Sequence, residues 1–110
     1  MSQDLIDAAT YTELSKAMGA DFAGELVTTF LDDAPNMFAT LKQGASDGDA
    51  DTYRRAAHSI KSNAEVFGAT SLAQAAREME LAGLTDASPI SALEAIYADT
   101  AAQLKALLDA

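Results

Sequence analysis

Residues 51–69 read DTYRRAAHSIKSNAEVFGA, and the spacing of their apolar positions decides the fold. At about 100° per residue, with Tyr53 set at zero, Ala56, Ala57, Ile60, Ala64 and Phe67 fall within about 60° of it. That is the apolar stripe of an amphipathic helix over about Asp51–Phe67, which Gly68 closes as a C′ glycine. His58 falls roughly 140° from the stripe, so it faces solvent.

The same period recurs outward in both directions. Upstream, Phe22, Leu26, Phe30, Met37 and Leu41 mark a helix over about Asp21–Gln43, with Pro35 inside it expected to kink or break it. A shorter helix, about Thr10–Met18, opens at Asp7 or Thr10 and closes near Gly19. Gly44–Asp51 (GASDGDAD) reads as a loop by composition, with Asp49 or Asp51 capping the next helix. Downstream, a helix over Thr70–Ala82 takes Thr70 or Ser71 as cap, and Gly83–Ala87 forms a short loop. Ser88 before Pro89 then reads as an N-cap followed by proline at the first helical position. The last helix, about Pro89–Leu108, carries Leu93, Ile96, Leu104, Leu107 and Leu108 as its apolar set. Four long amphipathic helices with short connections predict an all-α protein. The expected form is an antiparallel four-helix bundle with a short extra N-terminal helix, one domain over residues 1–110.

Composition narrows the function classes. The chain has 110 residues, 49% of them hydrophobic, which suits one packed core rather than disorder. Without cysteine there are no disulfides and no thiolate chemistry. No apolar run approaches the roughly 18–20 residues of a membrane span, and MSQDLIDAAT lacks a signal pattern, so a soluble cytoplasmic protein is expected. The opening Met and the lack of a flanking linker favour a free-standing protein. A net charge of −10 argues against nucleic acid and anionic membranes as partners. No phosphate-cradling glycine loop is present, so ATP-dependent kinase activity is not expected. Asp47, Asp49 and Asp51 alternate as at the start of a calcium loop. The glycine and glutamate such a loop needs are missing, so no metal or other cofactor is expected.

The chemistry gathers around His58, the chain's one histidine. Arg54, Lys61, Ser62 and Glu65 stand at i−4, i+3, i+4 and i+7, offsets that share a helix surface. Of seven Lys and Arg, three (Arg54, Arg55 and Lys61) lie within four residues of His58. Cations there favour an anion on or beside the ring. A neutral imidazole offers a lone pair that can attack phosphorus. An ordinary solvated helix face presents the same pattern, and spacing alone does not separate the two.

The segment His58-Ser59-Ile60-Lys61-Ser62-Asn63-Ala64, then Phe67-Gly68-Ala69 and Leu72, resembles the signature of histidine-containing phosphotransfer (HPt) domains. That signature runs His, any residue, Leu or Ile, Lys, Gly or Ser, small residues, then a spaced apolar–Gly–Ala and a Leu. Leu14, residues 30–35, Gly48-Asp49, Met79-Glu80 and the Leu-rich C-terminal helix are similar to the family as well. The resemblance implies a helical bundle that accepts a phosphoryl group on His58 from a receiver-domain aspartate and passes it to another receiver. It implies a carrier without autonomous kinase activity. Its partners would be response-regulator receivers and a hybrid histidine kinase, with Mg²⁺ belonging to the receiver. By position, Lys61 would offset the phosphoryl charge. Ser62, usually glycine in the family, would hydrogen-bond or slightly crowd the site. Gly68 and Ala69 would only turn the chain. Arg54, Arg55, Ser59, Asn63 and Glu65 are candidate partner contacts, with Phe22, Leu31 and Phe38 as apolar docking positions. The bundle is expected to be a monomer. The alternative is a helical module that binds a receiver or kinase without phosphotransfer.

Overall fold

The computed structural model describes residues 6–84 and 89–109, apart from the side chains of Ala8 and Asp109. It contains five helices: α1 (Ala8–Met18), α2 (Ala20–Asp47), α3 (Ala50–Val66), α4 (Thr70–Ala82) and α5 (Ile90–Asp109). Helix α3 packs on α2 at one side and α4 at the other, α5 closes the ring between α4 and α2, and α1 lies against α2 and α3. This is the expected bundle with its short N-terminal extra, and no strand occurs among the described residues.

Helix α2 differs from the sequence reading. It is one continuous helix of 28 residues, about 42 Å long at roughly 1.5 Å per residue. Pro35 lies on its exposed side and does not break it. The predicted loop over Gly44–Asp51 shrinks to Gly48 and Asp49. Gly44 is helical and is glycine because α3 crosses there: a Cβ would lie 2.8 Å from the Tyr53 backbone nitrogen. The helix ends at Gly48, whose left-handed φ of 69° suits glycine. Its buried stripe is Ala23, Val27, Phe30, Ala34, Phe38, Leu41 and Gly44. Phe22 is 40% exposed instead, and Leu26 and Met37 are half-buried. Two alanines and a glycine carry part of this stripe, and small residues give a faint periodic signal.

Capping follows the turns. Asp7 caps α1 by accepting from the Ala9 amide, and Asp49 caps α3 through the Thr52 amide and hydroxyl. Those bonds hold the Asp49 carboxyl below its usual range. Neither Thr70 nor Ser71 caps α4. Ala69 holds that position without a side-chain bond. The α3–α4 turn closes on itself, with Ala69 N donating to Ala64 O at 2.9 Å and Thr70 N to Gly68 O at 2.9 Å. Ser88 lies outside the described residues. Pro89 sits one position outside α5, its carbonyl accepting from the Leu93 amide.

The core is aromatic at its centre. Phe30 meets Phe67 at 5.6 Å and Tyr97 at 5.9 Å, and Phe38 meets Tyr97 at 5.2 Å, joining α2 and α5 to the end of α3. Phe38, an expected docking position, is core at 6% exposure. Tyr53 is fully buried, and its hydroxyl has no hydrogen-bond partner among the described residues. A buried hydroxyl without a partner costs desolvation. Tyr53→Phe should therefore leave stability unchanged or raise it by up to about 1 kcal/mol in urea denaturation. A loss of that size instead would mean the hydroxyl is satisfied.

Candidate functional site

The core stripe of α3 sets the helix's rotation, and the rotation sets the site. Tyr53, Ala56, Ala57, Ile60 and Ala64 are all buried as the spacing predicted. His58, on the opposite side, keeps 55% of its side-chain surface exposed. It stands midway along a helix fixed by an aspartate cap at one end and the Gly68 turn at the other.

The ring is held from across the helix boundary. His58 Nδ1 lies 2.9 Å from Glu80 Oε2 on α4. The other oxygen, Oε1, lies 3.5 Å from Lys61 Nζ. One carboxylate thus joins the histidine to the lysine one turn further along α3. Partial burial pushes the Glu80 carboxyl up, but the His58 hydrogen bond and the charges of His58 and Lys61 outweigh it. The net effect holds Glu80 below the usual carboxylate range. An ionised carboxylate only accepts, so the ring nitrogen facing it carries the hydrogen. In the neutral ring the lone pair is then on Nε2, which points away from Glu80. The ring's tautomer is thus set by its neighbour, the same logic that orients a triad histidine.

Glu80 escaped the sequence reading as a site residue. It is 22 positions from His58, so no helical spacing connects them. The signals available were the family likeness at Met79-Glu80 and its place beside the buried α4 stripe of Leu72, Ala76 and Met79.

The cations beside His58 are all engaged by carboxylates. Asp51, in the first turn of α3, pairs with Arg55 and lies 3.3 Å from Arg54 Nη2. Lys61, 20% exposed, is engaged by Glu80. Asp51, Arg54, Arg55, His58, Ser59 and Glu80, with the 70% exposed Leu81, line one open depression. Arg55 and Ser59 also border a groove between α2 and α3 floored by Met37 and Ala56. Ser62 is half-buried one turn beyond His58. Asn63 turns back on its own helix, its amide donating to Ser59 O at 2.8 Å and reaching Met37 Sδ at 3.8 Å. Glu65 is exposed but borders a separate hollow with Thr10, Gly68 and Arg77. Phe22 is exposed and Leu31 half-buried. Among the described residues no group of three or more His, Cys, Asp or Glu could hold a metal ion. Among the described residues no helix is long and apolar enough to cross a membrane.

A family model described as the Hpt domain matches residues 25–110. Among solved structures, histidine-containing phosphotransfer protein B (HptB) of Pseudomonas aeruginosa PAO1 superposes with a TM-score of 0.88. It shares 26% identity over 98% of this chain and 97% of its own. The comparison with curated proteins returned no match.

Proposed function

The chain belongs to the Hpt domain family, whose work is histidine phosphotransfer in phosphorelays, and we propose that His58 is the residue that carries the phosphoryl group. One observation carries the assignment. The family's chemistry needs a histidine, the chain has one, and that one is exposed with Nδ1 bound to Glu80 and Nε2 open.

The transfer balances simply. The Nε2 lone pair attacks the phosphorus of an aspartyl phosphate on a receiver domain. The N–P bond forms, the P–O bond to the carboxyl breaks, and the aspartate leaves as carboxylate. The ring keeps its Nδ1 hydrogen and gains positive charge, which Glu80 faces directly. Lys61, one turn along α3 and paired with Glu80, would shift toward the phosphoryl oxygens, and the Ser62 hydroxyl is a donor on the same face. Both bonds are reactive, so transfer runs either way, and the bundle supplies position rather than activation. Arg54, Arg55 and Ser59 meet the partner at the rim. Asn63 and Glu65 take part only if docking extends along α3. The protein acts as a single-domain cytoplasmic monomer, needs no cofactor and has no kinase activity of its own.

Intact-mass analysis after mixing with phosphorylated receiver domains, kept from acid, tests the assignment. Wild type should gain one phosphate and His58→Gln none. A folded wild-type protein that gains none would make the molecule a phosphate-independent binding module. Lys61→Ala should shorten the phosphohistidine lifetime or slow transfer by about two- to tenfold, with thermal stability within about 0.5 kcal/mol of wild type. Unchanged transfer would remove Lys61 from the mechanism.

A further inference from the structure

Asp51 lies seven residues before His58 on the same line of α3, about 10 Å along the axis. Arg54 and Arg55 stand between them, about 40° to one side and 60° to the other. Either guanidinium can therefore reach forward to His58 or back to Asp51. In the structure both are turned back. Asp51 pairs with Arg55 and sits 3.3 Å from Arg54 Nη2. The carboxylate is not needed as the helix cap, because Asp49 already bonds the Thr52 amide and hydroxyl. With Lys61 on Glu80, every cation flanking His58 is held by a carboxylate.

We propose that Asp51 is a positioning residue that retracts Arg54 and Arg55 from His58 and so weakens the site's hold on the transferred phosphoryl group. The inference rests on the assignment of His58 as the carrier. A carrier must release what it accepts, and two guanidiniums fixed on a phosphoryl group would hold it by bidentate bonds. A competing carboxylate one turn away keeps the exchange near balance. Its pairs are exposed, with Asp51 53% and the arginines 58% and 79% accessible, so the competition is soft and reversible.

The test is the phosphoryl-exchange equilibrium between this protein and a phosphorylated receiver domain, read as the ratio of phosphorylated forms at low and high salt. Asp51→Asn should shift it toward phospho-His58 by about two- to fivefold at low salt. The shift should fade near 1 M salt, where screening acts over about 3 Å. Asp51→Glu should restore the wild-type ratio, since glutamate reaches the same partners at i+3 and i+4. In an Arg54→Gln, Arg55→Gln background the Asp51→Asn shift should vanish. An acid in the first turn also favours the helix dipole, and that effect would move thermal stability but not this ratio. An unchanged ratio in Asp51→Asn, or an equal shift without the arginines, overturns the proposal alone. A wild-type protein that takes no phosphate overturns the His58 assignment and this inference with it.

Discussion

Glu80→Gln should slow phosphoryl exchange at His58 by about 10- to 100-fold while leaving the fold intact. The carboxylate fixes the Nδ1 hydrogen and leaves the lone pair on Nε2, and on the proposed assignment it would face the charge that develops on the ring. An amide can turn its NH₂ toward Nδ1, which places the hydrogen on Nε2 and removes the nucleophile. In a buried serine-protease triad the equivalent change costs about 10⁴. Here the ring is 55% exposed, so water competes and the loss is smaller. Single-turnover transfer from a phosphorylated receiver measures it. A rate within twofold of wild type would show that Glu80 only braces α3 against α4. The same variant carries a pH signature. Because the folded Glu80 carboxyl lies below its ordinary value of 4.5, it contributes stability that is present above that value. The contribution is lost as the pH falls through the lowered one. Denaturation followed from neutral to acid pH should lose this part of the acid limb in Glu80→Gln.

Gly68→Ala should destabilise the protein by about 2–4 kcal/mol, the largest single-site loss expected outside the central core. Two costs combine. The φ of 68° at Gly68 is left-handed, where a Cβ costs about 1–2 kcal/mol. The added Cβ would also lie 2.7 Å from Thr10 Cβ and 2.9 Å from the Asp7 carbonyl. The Asp7 amide donates to Gly68 O at 2.7 Å, so the turn that ends α3 is also the seat of α1. Thermal melting should show a midpoint lower by about 10 °C or more. A shift of only about 5 °C, the φ cost alone, would mean that α1 moves aside freely, and a shift under about 2 °C would contradict both costs.

How much of this was legible in the sequence follows from how local each signal is. Tyr53, Ala56, Ile60, Ala64 and Phe67 repeat within one helix, so the face of α3 and the exposure of His58 could be read directly. Gly44 could not, because its meaning lies in the approach of α3, and a glycine beside serine and aspartate reads as a loop. Ala23 and Ala34 carry the α2 stripe without looking apolar enough to outvote Phe22. At the candidate site, the residues on α3 are named by their offsets from His58. Glu80 is not, since no spacing rule joins two helices. Asp51 reads from the sequence as a cap, and its grip on both arginines shows only in the side-chain positions.

On the proposed assignment, Nε2 of His58 bears the phosphoryl group while Nδ1 keeps its hydrogen on Glu80. Nitrogen–phosphorus correlation NMR of the phosphorylated, ¹⁵N-labelled protein at alkaline pH tests it most directly. One phosphorus should couple to the Nε2 of His58. Phosphorus on Nδ1, or on any other residue, would contradict it.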